Sequence, residues 1–316
     1  MTEGCVDILT ELQKESEQVE VVDLLWFGNY LPKQVKLIKQ DLFDCHEEDF
    51  KGYDQVIFLA GLSNDPMAEY SPAKNFVMNG ALPSYLAYRA KNAGVKRFIY
   101  ASSCSVYGYA QDHFYSEADP VTCDYPYGIS KLQGERGALQ MVRDDFSVIA
   151  LRQGTVSGFS PRMRFDLIVN TMVKSAVKCG RITVNNAAIW RPVYDIRDAV
   201  EAYLRAVQAD EAVSGVFNVC SGNYTVGLVA DLVKEEVERL TGTKLALEIK
   251  EIADCRNYKV SIEKAATVLG FRPQYSIKET VADLLAHRDY YGDFERDEFY
   301  NIRMFKKLPV ISHYAR

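Results

Sequence analysis

The sequence predicts a doubly wound α/β fold: a parallel sheet with helices on both faces, followed by a smaller C-terminal lobe. Two observations carry the prediction. Over the first two-thirds of the 316 residues, short runs rich in Val, Ile and Phe alternate with helical stretches, the pattern of strand–helix–strand units in a parallel sheet. From about residue 155 the alternation loosens into longer amphipathic stretches, and a chain of this length accommodates a main domain with a smaller lobe.

The elements follow in order. "VDILTELQKESE" puts Ile8, Leu9 and Leu12 on one face with charge at its C-terminal end, as in an amphipathic helix. "VEVVDLL" (19–25), "VKLIKQDL" (35–42), "DQVIFLAG" (54–61), "RFIYASS" (97–103) and "SVIALRQ" (147–153) are short and rich in β-branched and aromatic residues, so they are predicted strands. "NFVMNGALPSYLAYRAKNAG" is a long helical stretch ending at Gly94, a C-cap residue, with a kink or helix start predicted near Pro83. "PYGISKLQGERGALQMVRD" is a further helix, and "TVSGFSPRMRFDLIVNTMVKSAVKCG" and "GLVADLVKEEVERLTG" make the C-terminal lobe largely helical. The tail "YGDFERDEFYNIRMFKK" is polar and aromatic and is expected to wrap over the body. Ligands of such sheets gather at the carboxyl ends of the strands. That singles out Asp23, Asp41, Gly61, Ser103 and Arg152.

Composition excludes several classes. Apolar residues make up 48% and charged residues 25%, with a net charge of −6, which describes a globular protein with no nucleic-acid footprint. No apolar run approaches the roughly 20 residues of a membrane span. The first residues lack a basic region followed by an apolar one, so a cytoplasmic location is expected. The seven cysteines are odd in number and form no C-x-x-C pair, which fits reduced thiols. Four histidines without H-x-x-x-H spacing give no metal site.

The chemistry concentrates in "RFIYASSCSVYG…YPYGISK". Tyr127 and Lys131 form a Y-x-x-x-K pair, and residues i and i+4 share a helix face. An ammonium beside a phenol favours phenolate and is expected to lower the tyrosine pKa toward the working pH, which would make the tyrosine a general base for a hydroxyl. By itself the pair also fits an ordinary surface helix. Here it follows a strand ending in "SSCSVYG", whose hydroxyls can bond the same substrate oxygen.

At these residues the chain resembles the extended short-chain dehydrogenase/reductase family, specifically its NAD-dependent nucleotide-sugar epimerases and dehydratases. The resemblance covers nearly the whole chain from Gly4 onward. It implies a Rossmann-like domain over 1–155 that binds NAD, and a lobe over 156–316 that mainly binds the nucleotide sugar, with some segments returning to the main sheet. It implies a catalytic Ser103, Tyr127 and Lys131. "VVDLLWFGN" resembles the family's second strand and assigns Asp23 to the adenosine ribose. "QDLFD" assigns Asp41 and Leu42 to the adenine, and "VIFLAGLS" lays Leu59, Ala60 and Gly61 along the cofactor. "FVMNGALP" places Asn79 near that site. For the substrate the resemblance assigns Asn170 in "FDLIVN" and Arg191 in "WRPVYDIRDAV" to the diphosphate, with Arg256 in "DCRNYKV" near it and Asp198 structural. Arg162 and Arg164 in "SPRMR" suit phosphate, and "SNDP" puts Ser63, Asn64 and Asp65 near the sugar. Plain alternatives stand beside these: turn acids for Asp23 and Asp41, backbone satisfaction for Asn79, solvated arginines in "SPRMR", and an N-D-P turn. A homodimer is also implied.

Two departures from the family pattern matter. A 4,6-dehydratase carries an Asp-Glu pair directly after its catalytic Ser/Thr, whereas Cys104 and Ser105 stand here. That leaves an epimerase working through a transient 4-keto sugar as the expected activity, with a nucleotide-sugar 4-dehydrogenase or keto-sugar reductase as the alternative. The second departure is at the start. The family's first strand leads into G-x-x-G-x-x-G, and Gly4 aligns with its last glycine, so the first strand and two glycines are expected to be missing. A non-catalytic relative that no longer binds NAD is therefore the third reading.

Overall fold

The computed structural model describes residues 5–15, 18–251 and 256–308; Gly4 lies outside them. The strands are β1 (Glu20–Val22), β2 (Lys36–Ile38), β3 (Gln55–Phe58), β4 (Arg97–Ser103), β5 (Tyr109–Tyr115), β6 (Ser147–Gln153), β7 (Thr155–Ser157), β8 (Arg181–Asn185), β9 (Trp190–Asp195), β10 (Gly215–Val219), β11 (Gly222–Thr225), β12 (Ala246–Lys250) and β13 (Asn257–Val260). The helices are α1 (Cys5–Glu15), α2 (Asp65–Tyr70), α3 (Pro72–Asn75), α4 (Leu82–Asn92), α5 (Pro126–Leu139), α6 (Ile168–Cys179), α7 (Ile196–Gln208), α8 (Val226–Thr241), α9 (Ile277–Ala286), α10 (Arg288–Tyr291) and α11 (Asn301–Lys307).

The main sheet is parallel, in the order β10-β6-β4-β3. β4 and β6 lie in its middle and are buried on both faces, as strands covered by helices on either side must be. One face packs Ile99, Ile149 and Leu151 against α1 and α7 through Ile8, Leu12, Val200 and Tyr203. The other packs Phe58, Phe98 and Val148 against Leu82 and Leu86 of α4 and Ala138 of α5. A further apolar cluster joins α6, α8, α9 and β8 through Val169, Val173, Val229, Val281 and Val184.

β1 and β2 form a separate parallel pair. Among the described residues β1 pairs only with β2 and β3 only with β4. The sheet is thus split where the family's first strand would run. α1 spans the split: Val6 and Leu9 pack with Val21 of β1, while Ile8 and Leu12 pack toward β3 and β4. Leu59, just after β3, touches both clusters. Side-chain packing, not a strand ladder, holds the two pieces together.

The predicted kink near Pro83 is a π-helical turn over 76–81 immediately before α4, the usual device for re-aiming a helix at a functional site. It lies against α5. A Cβ at Gly134 of α5 would come 2.2 Å from the Asn79 carbonyl oxygen, so only glycine permits this crossing. α4 ends at Asn92 with Ala93 as its C-cap, and Gly94 follows with φ +91°, the positive-φ glycine expected at this helix end from the sequence.

Candidate active site

α5 begins with Pro126 in its first turn, where a missing N–H costs nothing. Tyr127 and Lys131 follow one turn apart on the face turned to the end of β4. Ser103 closes β4 and caps the 3-10 turn over 104–107, its Oγ accepting from the Ser105 amide at 3.2 Å and the Ser105 hydroxyl at 2.9 Å. Ser103 stands beside Tyr127 and lowers the pKa of its hydroxyl. Lys131 is 5% exposed, donates to the Ala101 carbonyl at 2.9 Å, and sits 6.0 Å from the centre of the Tyr127 ring. The three residues of the expected triad are therefore in one place.

Their electrostatics correct the sequence expectation. Tyr127 keeps some accessible surface, yet dense protein around it pushes its pKa up to about 12, mainly through burial and then through the Asp65 charge; Ser103 and Arg164 oppose the rise. Burial alone brings Lys131 down to about 8. Desolvation disfavours both charged forms, and it outweighs the expected pull of the ammonium on the phenol. A lysine with a depressed folded pKa destabilises the fold wherever the unfolded chain holds the proton more tightly. The penalty is full below about pH 8 and fades as pH rises toward the ordinary 10.5. Lys131→Met is expected to stabilise the protein at pH 7 by on the order of 2 kcal/mol while removing activity. Urea unfolding at pH 7 and pH 10 checks this, since the advantage should shrink at the higher pH; no gain at pH 7 would refute it.

Asn79 is fully buried. Its Oδ1 accepts from the Leu62 amide at 2.9 Å, and its Nδ2 donates to the Leu62 carbonyl and Asn75 Oδ1, both at 2.8 Å. It fixes the chain that leaves β3 rather than offering a group to a ligand. Gly61 has φ +122°, and a Cβ there would stand 2.1 Å from Asn79 Oδ1. The backbone of Leu59, Ala60 and Gly61 is held close by this one amide. After the separate β1–β2 pair, Asp23 and Asp41 each cap their own turn, accepting from Leu25 at 2.5 Å and Phe43 at 3.0 Å. Leu42 packs into the core beside Phe58.

On the substrate side, Asn64 donates to Asp166 at 3.0 Å, and Arg164 binds the same carboxylate through two bonds of 3.0 Å. Asp65 is paired with Arg256, whose carbonyl accepts from Arg191. Arg191 lies 5.8 Å from the centre of the Tyr258 ring. Ser63, Asn64, Arg164, Arg191 and Arg256 thus belong to one connected rim, with Asp65 and Arg164 close enough to act on Tyr127.

Two substrate expectations change. Arg162 has no accessible surface, lies 3.8 Å over the Phe27 ring and donates to Asn301. A guanidinium with no exposed face gives a diphosphate no approach, so Arg162 braces the loop. Asn170 is also fully buried, accepting from Gly158 at 3.0 Å and donating to the Arg164 carbonyl at 2.9 Å. It shapes the arginine loop instead of facing solvent. Asp198 is structural as expected, accepting from Gln274, Tyr275 and Ser221. Asp166, Asn301 and Glu135 carry no sequence signal and emerge only from the fold. Among the described residues no cluster of His, Cys, Asp or Glu could hold a metal, and no helix is long and apolar enough to cross a membrane.

A parallel sheet with Ser, Tyr and Lys converging beyond β4 defines the short-chain dehydrogenase/reductase class. The chain belongs to the NAD-dependent epimerase/dehydratase family, whose model matches residues 8–220. It is 27% identical to GDP-6-deoxy-D-mannose reductase of Pseudomonas aeruginosa over 250 residues, 74% of this chain and 79% of that protein. It is 24% identical to UDP-glucose 4-epimerase of Lactobacillus helveticus over 303 residues, 87% and 90% of the two chains. Among solved structures, MoeE5 in complex with UDP-glucuronic acid and NAD superposes with a TM-score of 0.77 at 27% identity, covering 90% of this chain and 95% of that one.

The family is NAD-dependent. The donor set fits both ends of that cofactor. Asp23 and Asp41 stand after β1 and β2, and beyond the end of β4 the buried Lys131 ammonium of α5 stands with the Ser103 and Tyr127 hydroxyls, groups of the kind that the hydroxyls of two ribosides require. The pyrophosphate cradle of the family would involve Gly4, which lies outside the described residues.

Proposed function

We propose that this protein is a nucleotide-sugar 4-epimerase, with UDP-sugars as the substrates to test first. The observation that supports this most is the convergence of Ser103 and Tyr127 beside the buried Lys131. Bound along Leu59–Gly61, NAD supplies a reversible hydride acceptor. Tyr127 accepts the proton of the sugar 4-hydroxyl and later returns it. Ser103 holds the same oxygen. Lys131 positions the nicotinamide ribose and favours phenolate once the cofactor site is filled. Arg191 and Arg256 bind the diphosphate, and Asn64 and Asp65 wall the sugar.

The next residues support epimerisation over dehydration. Cys104 is fully buried, with burial raising its thiol well above the ordinary value, and it donates to the Arg152 carbonyl. Ser105 is bonded to Ser103. Neither can carry out the acid–base elimination that a dehydratase requires. A 4-dehydrogenase or keto-sugar reductase would use the same three residues, as the Pseudomonas relative's name illustrates.

Proton NMR of UDP-glucose, UDP-galactose and UDP-glucuronic acid with added NAD separates these outcomes. Interconversion of 4-epimers without net NADH is expected. Accumulating NADH with a keto sugar would replace the epimerase reading by a dehydrogenase. No conversion, together with no NAD released on denaturation and no thermal shift with NAD, would leave a non-catalytic relative.

A further inference from the structure

We propose that the C-terminal segment 297–308 is a strap that sets the sugar-binding wall, and that Asn301 is its positioning residue. The inference rests on the nucleotide-sugar reading above and concerns residues that no motif points to. Asn301 is 3% exposed. Its Oδ1 accepts from Arg162, and its Nδ2 donates to Ser63 Oγ. A guanidinium can only donate, so Arg162 forces the amide oxygen toward itself and leaves the amide nitrogen for Ser63. Ser63 immediately precedes Asn64, which donates to Asp166, and Asp65, whose charge acts on Tyr127.

The same segment touches the other loops of the rim. The Phe165 amide donates to the Phe299 carbonyl at 3.1 Å, and the two rings meet edge-on at 5.5 Å. Phe305 is buried with Leu62 and Met67, and lies 5.9 Å from Trp26 and 6.0 Å from Tyr70. Trp26 belongs to the turn that follows Asp23. One segment therefore ties together the turn after β1, the loop after β3 and the arginine loop. Asn301 links Arg162 directly to the loop after β3, beside the Asn64–Asp166 bond that ties the same two loops.

Asn301→Ala tests this, because alanine neither accepts from Arg162 nor donates to Ser63. Loss of the link is expected to weaken UDP-glucose binding about tenfold, read by titration calorimetry on NAD-saturated protein. If UDP-glucose turns over, KM rises similarly and kcat stays within about threefold. NAD content stays at the wild-type value. Asn301→Asp restores the link, because its carboxylate accepts both from Arg162 and from the Ser63 hydroxyl, and it binds UDP-glucose within about threefold of wild type; Ser63→Ala combined with Asn301→Ala loses no more than Asn301→Ala alone, because both break one link. Wild-type UDP-glucose affinity in Asn301→Ala would overturn the proposal. So would a parallel fall in NAD content, or no recovery in Asn301→Asp, either of which marks general loosening. Wild-type protein that fails to bind UDP-glucose at all would overturn the sugar-nucleotide reading and this inference together.

Discussion

Tyr127→Phe is expected to lower turnover of the nucleotide sugar about 10²–10⁴-fold, the usual contribution of a positioned acid–base group, while leaving its affinity within about twofold. The ring stays and only the hydroxyl goes. Ser103 keeps its bonds from the Ser105 amide and hydroxyl, so no buried group is orphaned and the fold tolerates the change. The pH dependence has a definite sign. With Tyr127 held up at about 12, the phenol is protonated at neutral pH. The kcat/KM of wild-type enzyme should therefore climb with pH through the alkaline range, because the phenol must lose its proton before it can accept one from the sugar. Tyr127→Phe removes that climb along with the rate. Retention of a tenth of wild-type turnover, or an unchanged pH profile, would show that another group carries the proton.

What the sequence made legible, and what it hid, follows from how far apart the contacting residues lie. β4 and β6 match their apolar runs to the residue, since both faces are buried and no alternation competes. β1 is cut to three residues because Asp23 turns the chain and Leu25 adopts φ 57°, a local choice that hydrophobicity does not encode. Tyr127 and Lys131 were readable because one helix turn sets their spacing. Arg162 was not, because its burial depends on Asn301, 139 positions later. β5 was missed for the same reason: it pairs in parallel with β13, far along the chain. The split between β1 and β3 could be anticipated, since it follows from counting strands. The role of α1 in spanning it required the packing. The reversal of the Tyr127 pKa required knowing how deeply the site lies, which spacing alone does not report.

The largest stability effect is expected beneath the catalytic helix, at Glu135 and Arg152. Glu135 lies one turn beyond Lys131 on α5 and is 1% exposed; Arg152 on β6 is 4% exposed. Two bonds of 2.9 and 2.6 Å join them, and Ser102 of β4 adds a third to the same carboxylate at 2.6 Å. Arg152 continues to the Tyr107 hydroxyl at 2.8 Å, which donates to Asn218 of β10 at 2.7 Å. One buried ion pair thus links α5 to three strands of the sheet and fixes the helix that carries Tyr127 and Lys131. Glu135→Ala leaves a buried guanidinium uncompensated and should cost about 3–5 kcal/mol, lowering the urea midpoint and, by loosening α5, the turnover as well. Removing both charges answers a different question. Glu135→Leu with Arg152→Met leaves no buried charge, and replacing a buried pair by packed apolar groups is often neutral. The double variant should therefore recover more than half of the stability lost by Glu135→Ala. If α5 were held mainly by its apolar contacts with Leu82, Leu86 and Phe98, the single variant would cost less than about 1 kcal/mol, within the range of ordinary surface pairs. If the costs of Glu135→Leu and Arg152→Met, each measured singly, simply added in the double variant, the pair would not act as a unit, and the registration of Tyr127 and Lys131 would have to come from elsewhere in α5.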